Sequence, residues 1–154
     1  MASRRQLILD DIVTACGLIS VANGYNFDIP GGVDRFRIKQ QSVETWPTII
    51  VYSDGESKEL GGGILYECVL SVLVEVWTKH PAAYAASTEE LLDDHVTDIE
   101  TALMIDSQRA GIATETRIRG HEREIHGGGD DWIVCRVGLD VLYRHRFDDP
   151  EAAS

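Results

Sequence analysis

Two long stretches of the chain alternate apolar side chains with a period of two, and this pattern constrains the fold most strongly. In residues 64–78, one set of alternate positions is apolar throughout: Ile64, Tyr66, Cys68, Leu70, Val72, Val74 and Val76. In residues 132–145, the corresponding positions are Ile133, Cys135, Val137, Leu139, Val141 and Tyr143. Successive side chains of a strand point to opposite faces of its sheet, so each stretch predicts a long strand with one buried face.

Two other segments have the apolar spacing of amphipathic helices. Residues 4–20 place four apolar side chains on one helix face: Ile8, Ile12, Ala15 and Ile19. Ser3 precedes this segment in the position of an N-cap. A second helix is predicted to begin at residues 87–90, where Glu89 and Glu90 suit the positive end of the helix dipole. Its predicted buried face consists of Leu92, Val96, Ile99 and Leu103.

Shorter segments predict three further strands, at residues 33–39, 46–52 and 112–118. Pro47 lies at the start of the second of these, where a missing backbone N–H is tolerated. Between the strands, residues 53–63 and 120–131 are polar and contain runs of glycine, so we predict two long, mobile hairpin loops there. The other set of alternate positions in residues 64–78 mixes apolar side chains with Glu67 and Glu75, so we expect that second face to be partly covered.

The predicted order of elements is helix, three strands, helix, two strands. This segregation favours an α+β domain, with an antiparallel sheet of about five strands and two helices packed on one face, over a parallel βαβ arrangement. The strand at residues 64–78 is expected to be central. A length of 154 residues suits one domain. We therefore predict a single domain over residues 1–147 and a disordered tail over residues 148–154.

The composition excludes some classes of function. The chain has 26 acidic and 14 basic residues, and its formal charge of -12 disfavours tight binding to nucleic acid. Cys16, Cys68 and Cys135 are far apart and odd in number, which predicts buried thiols in a reducing cytoplasm. The most apolar run, at residues 69–77, is interrupted by Ser71 and Glu75, so we expect no membrane segment.

Three local motifs are close to catalytic or ligand-binding signatures but lack essential parts. The sequence HGGG at residues 126–129 is found in the oxyanion hole of hydrolases, yet no serine lies in a G-x-S-x-G context. The two histidines of HEREIH, at residues 121–126, are one residue too far apart for a helical H-E-x-x-H zinc site. The glycine run at residues 61–63 lacks the Lys and the helix of a phosphate loop. We expect no enzymatic activity, no bound metal and no cofactor.

The order of features along the chain carries a resemblance to a known family. The features are an N-terminal helix, a strand beginning at Trp46 and Pro47, a strand ending in VEVW at residues 74–77, a helix through Leu91 and Leu92, and a closing strand LDVLYRH at residues 139–145. Asp149 and Pro150 follow the closing strand. In these features the chain resembles the tail terminator proteins of long-tailed bacteriophages, also called minor tail or tail-completion proteins.

The resemblance implies an α+β subunit of the virion that assembles in the host cytoplasm. Such a subunit forms a ring with copies of itself, expected to be a hexamer. The ring caps the tail tube, contacts the tail tube protein, ends tube polymerisation and joins the tail to the head connector protein. DNA would pass through the ring lumen without sequence-specific binding. None of these roles needs an active site.

Two other classes of function remain open alongside this one. One is a different head–tail connector or a tail-tube structural subunit, and the other is a small soluble enzyme or ligand-binding domain. If the chain does assemble, charged residues in and beside the two predicted loops are the candidate interface: Asp54, Glu56, Lys58, Glu59, Arg117, Arg119 and Arg123. We expect Arg119 and Arg123 of one copy to meet acidic groups such as Asp54, Glu56 or Glu59 of the next.

Overall fold

The computed structural model describes residues 2–35, 45–79, 88–126 and 132–148. These residues form two α-helices, α1 (Arg4–Gly17) and α2 (Thr88–Met104), and a one-turn 3-10 helix at Val21–Asn23. They also form five strands: β1 (Val33–Asp34), β2 (Thr48–Leu60), β3 (Leu65–Lys79), β4 (Glu115–His126) and β5 (Trp132–Arg146). None of the described helices is long and apolar enough to span a membrane.

The five strands make one sheet in the order β1-β2-β3-β5-β4. All neighbouring pairs are antiparallel except β1 and β2, which run parallel. The predicted α+β class and the central position of the strand at residues 64–78 are confirmed. The prediction of a wholly antiparallel sheet is wrong at one edge, where Val33 and Asp34 pair in parallel with Ile49 and Ile50. Residues 36–39 of the predicted first strand lie outside the described residues.

The core lies between the sheet and the two helices. Strands β3 and β5 pair without a register shift from Leu65 opposite Arg146 to Lys79 opposite Trp132. Their two apolar sets therefore face the same side of the sheet, and the helices cover that side with their own apolar faces. The helix-covered side buries each predicted member of the second helix face, including Val96 and Ile99. The three free cysteines are buried there as predicted.

Local sequence accounts for the start of α1. The Ser3 side chain accepts a hydrogen bond from the Gln6 backbone N–H, and the Gln6 side chain accepts one from the Ser3 backbone N–H, which together form a capping box. The prediction of Ser3 as N-cap is confirmed. The helix ends at Gly17 rather than at residue 20, with Leu18 as its C-cap.

The prediction of two loops is wrong for most of the described residues in them, because these residues lie in strands. Residues 53–60 continue β2 in register with β3, so only residues 61–64 remain as the turn between these strands. Residues 120–126 likewise continue β4 along β5. Each strand absorbs a register shift, at Ser53/Gly55 and at Ile118/Gly120, where the glycines adopt φ angles of 146° and 147°. Polar sequences form strands here because the neighbouring strand supplies their backbone hydrogen bonds.

Two smaller boundaries also differ from the sequence prediction. The predicted strand at residues 112–118 begins at Glu115. Of the predicted tail, Asp148 lies in a turn and pairs with Arg146 at 3.1 Å, while residues 149–154 lie outside the described residues. Residues 127–131 of the second predicted loop are also outside them.

The second face of the sheet, which we call the open face, carries no helix among the described residues. A small apolar cluster lies at one end of it and consists of Ile50, Trp77, Trp132 and Val134, with Trp46 and Tyr52 packed beside them. The expected partial cover of the second face of β3 is confirmed by this cluster. Towards the other end, the open face combines half-buried apolar side chains, such as Val69 and Leu142, with exposed charged ones, such as Glu67 and Arg144.

Candidate assembly surfaces

The seven residues predicted to form an assembly interface lie on two strands that are not neighbours. Four of them lie on β2 and three on β4: Asp54, Glu56, Lys58 and Glu59, then Arg117, Arg119 and Arg123. Strands β3 and β5 lie between β2 and β4, so the two sets are separated by three strand spacings, or about 14 Å. Within one chain, the structure brings only Asp54 and Arg119 of these two sets to the same groove.

Most of these charges pair inside the chain. Arg119 contacts Asp140 at 3.2 Å, and Arg123 contacts Asp93 at 2.9 Å and Glu89 at 3.5 Å. Arg117 contacts Glu115 at 2.8 Å. An interface that uses these arginines therefore has to exchange or extend existing ion pairs, each of which contributes only about 0 to 1 kcal/mol.

The acidic side of the predicted interface is divided between the two faces of the sheet. Glu56 lies on the helix-covered side, where it contacts Arg5 of α1 at 3.3 Å and accepts a hydrogen bond from the Tyr143 hydroxyl. Burial and the Glu56 carboxylate raise the pKa of Tyr143 well above its ordinary value. Asp54 and Glu59 form no ion pair with the described residues. Glu56 therefore ties β2 to α1 and β5, whereas Asp54 and Glu59 remain available to a partner.

Lys58 completes this cluster on the helix-covered side. Its ammonium lies 3.0 Å from Nε2 of the buried His145 and 3.8 Å from the Glu56 carboxylate. His145 Nδ1 lies 2.7 Å from the backbone carbonyl oxygen of Arg146, which can only accept a hydrogen bond, so this nitrogen is the protonated one and Nε2 accepts from Lys58. The cluster fixes the ends of β2 and β5 to each other and to α1.

A groove of about 580 Å³ crosses the open face between β2 and β4. Its floor includes Gly120 and Gly138, which are directly opposite each other on β4 and β5. The Arg119 guanidinium lies over Gly138, 3.1 Å from where a Cβ would stand, so a larger residue at Gly138 would displace it. The missing side chains of this glycine pair are what make the sheet surface concave.

Sequence reasoning missed the polar network beside this groove. Glu75 is fully buried and accepts hydrogen bonds from the Tyr52 hydroxyl at 2.5 Å, Trp77 Nε1 at 3.0 Å and Arg136 Nε at 3.4 Å. Burial alone would lower the pKa of Arg136, but the charge of Glu75 raises it above its ordinary value. The one sign of this network in the sequence is Glu75, a carboxylate within an otherwise apolar run of a predicted strand. Since each donor and acceptor named here is paired, the network serves to order the sheet.

The hairpin end of the sheet exposes a group of apolar side chains. We call this group the apolar sheet end, and it consists of Leu60, Ile64, Tyr66 and Phe147. Leu60, Ile64 and Phe147 are 71%, 59% and 62% exposed. Phe147 stacks on Tyr66 with ring centroids 5.4 Å apart, and its backbone N–H donates to the Ile64 carbonyl oxygen. Leu60 lies opposite Tyr66 in the β2–β3 ladder, so the four residues are neighbours at this end of the sheet.

A cleft of about 460 Å³ lies at the opposite end of the molecule, between the start of α2 and the end of β4. We call it the α2 cleft, and it is lined by Thr88, Glu89, Leu92, Arg123 and Ile125. Ile125 is 63% exposed. Helix α2 contains six carboxylates and no lysine or arginine, so the helix beside this cleft is strongly acidic: Glu89, Glu90, Asp93, Asp94, Asp98 and Glu100.

Neither a protein-family model nor a curated protein matches the chain. Among the described residues, no group of three or more His, Cys, Asp or Glu side chains is placed to hold a metal ion. The HEREIH sequence lies on β4, an extended strand, as expected of a stretch that is not a zinc helix. Function therefore has to be argued from the surfaces that the fold exposes.

Proposed function

We propose that this chain is a structural subunit of a long-tailed bacteriophage, which closes the finished tail tube as a ring and joins it to the head connector. The observation that carries the proposal is the apolar sheet end. Leu60, Ile64 and Phe147 expose most of their side chains to solvent, although the chain as a whole is highly charged. Contiguous apolar groups on the surface of a soluble domain mark protein–protein contacts.

The architecture and the charge also support the proposal. The α+β fold is of the class that the resemblance to tail terminator proteins implies. A chain with a formal charge of -12 repels phosphate groups, which suits a ring through which DNA passes without being held. The role is one of contact rather than catalysis, with copies of itself, the tail tube protein and the head connector protein as partners. The finished ring would belong to the virion.

The test is deletion of the gene from the phage that encodes this chain, followed by electron microscopy of the particles. Loss of a tail terminator gives tubes of irregular, excessive length that are not joined to heads. Unjoined tails of normal length indicate a connector instead, and the absence of tubes indicates a tube subunit. Normal particles would contradict all three structural roles. Supplying the wild-type gene from a plasmid is the control, and it has to restore tail length.

A further inference from the structure

The apolar sheet end has a basic border on the side that the helices cover. Lys58 precedes Leu60 by two residues on the same side of β2, and its ammonium lies 5.9 Å from the Tyr66 ring centroid. Arg5 of α1 contacts Glu56, two residues before Lys58 on β2, and its side chain is 52% exposed. Lys58 lies 3.8 Å from the same carboxylate, so the two cations outnumber the one acidic group on this side. In an acidic chain, this region therefore combines exposed apolar groups with two cations.

The α2 cleft has the complementary character. Leu92 and Ile125 give it an apolar lining, and Glu89 lies at its border. The exposed Glu90 and Asp93 follow on the same helix. Arg123 also lines the cleft and contacts Glu89 and Asp93, so three carboxylates and one cation leave the border negatively charged. Both surfaces are apolar, and their charged borders are opposite in sign. The apolar sheet end is bordered by cations, and the α2 cleft at the other end of the molecule is bordered mainly by carboxylates.

The two surfaces of one chain cannot meet each other. Leu60 and Ile64 lie at the hairpin end of β2 and β3, whereas Ile125 pairs with Ile133 near the start of β5. Strand β3, of 15 residues, connects the two ends and spans about 50 Å. Only a second molecule can bring a sheet end to an α2 cleft.

We propose that the apolar sheet end of one copy docks into the α2 cleft of a second copy of this chain. The contact rests on the proposed function, because it supplies the self-association that a ring requires. It is heterologous: each copy contributes a sheet end to one neighbour and a cleft to the other, so repetition gives a closed ring or an open filament. Two copies that each carry a charge of -12 repel overall, and an arrangement that places Lys58 and Arg5 near the carboxylates of α2 offsets part of this repulsion.

The test uses one charged substitution on each surface, with mass measured by light scattering after size exclusion. We expect Ile64→Asp and Ile125→Asp each to be monomeric, since a carboxylate on either surface loses the apolar contact. Both residues are more than half exposed, so circular dichroism and thermal melting should match the wild type. Ile105→Asp is the matched control, because Ile105 is 74% exposed and lies outside both surfaces.

The decisive experiment mixes the two variants and measures whether assembly returns. The Ile64→Asp protein keeps an intact cleft and the Ile125→Asp protein keeps an intact sheet end, so an equimolar mixture should form dimers and stop there. A two-fold contact between identical surfaces predicts no such recovery. The proposal is overturned by a wild type that stays monomeric at its highest soluble concentration, by single variants that assemble normally, or by a mixture that stays monomeric.

Two further outcomes keep this contact distinct from the proposed function. If Ile64→Asp assembles normally but its rings fail to join tails in the phage, the sheet end contacts another tail protein and the self-contact is wrong. If the variants and their mixture behave as expected but gene deletion leaves the particles normal, the contact stands and the tail role is wrong.

Discussion

Three polar side chains are buried in positions where the sequence pattern shows only helix faces and a turn. Asp98 of α2 accepts hydrogen bonds from the Asn26 backbone N–H, the Asn26 side chain and the Phe27 backbone N–H, at 2.7, 2.8 and 3.1 Å. Arg109 donates to the backbone carbonyl oxygens of Leu103 and Asp106 and lies 3.3 Å from Asp11. These two residues attach loops to the helices. His95 differs from both, because neither of its ring nitrogens has a hydrogen-bond partner among the described residues.

His95 is predicted to make the fold sensitive to acid. Its ring is fully buried against Phe27, with centroids 4.2 Å apart, and burial lowers its pKa from 6.5 to about 4 against a weaker opposing effect of Asp94. Below pH 6.5 the unfolded chain binds a proton at this position and the folded chain does not. The free energy of unfolding should therefore fall between pH 6.5 and about 4, by roughly 3 kcal/mol from this group.

The measurement is urea unfolding of wild type and His95→Leu at pH 7 and pH 5. The substitution removes the titrating group while keeping an apolar side chain of similar size, so the loss of stability on acidification should be smaller in the variant. His121→Leu is the control, since it makes the same substitution at an exposed histidine on β4. An equal loss in all three proteins would show that other groups cause it.

At the scale of elements, the face of α2 that packs against the sheet is the feature most open to test. Val96 is 7% exposed and lies on the face that packs against the sheet, whereas Thr97 is exposed. Val96→Asp places a carboxylate among apolar side chains and should cost roughly 3 to 5 kcal/mol, enough to unfold a domain of ordinary stability. Thermal melting followed by circular dichroism measures the change.

Thr97→Asp is the matched control for this substitution. It adds the same carboxylate one position along the helix, on the solvent side, and should shift the melting temperature only slightly. If both variants melt like the wild type, α2 is not packed on the sheet as described.

At the scale of the whole molecule, the arginines of β4 connect the fold to assembly. Arg123→Glu would place another carboxylate beside Glu89 and Asp93 at the border of the α2 cleft, and Arg119→Glu would face Asp140. Each lost pair is worth only about 0 to 1 kcal/mol, so the doubly substituted chain should fold. If these arginines meet acidic groups such as Asp54 or Glu59 of the next copy, as the sequence predicts, assembly should weaken measurably, while either single reversal should have little effect. The contact between sheet end and α2 cleft predicts no weakening, because a further carboxylate beside α2 does not repel Lys58 or Arg5.

Light scattering of the double variant, beside wild type at the same ionic strength, measures this effect. Added salt should weaken the wild-type assembly as well, because exposed ion pairs are screened. Tail lengths in a complementation assay provide the second readout. Normal assembly and normal tail length in the double variant would exclude these arginines from the interface.

The sequence by itself determined the main elements of the fold. The two long strands, β3 and β5, and the two helices, α1 and α2, each bury one face along their length. A buried face repeats apolar residues every two positions in a strand and every three to four positions in a helix. These periods predict Val74 and Val96 in the core, and both are buried. The number and spacing of the cysteines predict that the thiol of Cys16 is buried, and it is.

The tertiary structure alone decided what the polar and exposed residues do. Residues 53–60 and 120–126 are strands because neighbouring strands accept and donate their backbone hydrogen bonds, a condition that leaves no apolar period in the sequence. The pairing of Arg123 with Asp93, and the stacking of Phe147 on Tyr66, join positions far apart in the chain. Sequence patterns report burial, which repeats along an element, whereas these contacts depend on strand order and register, which arise only when distant segments pair.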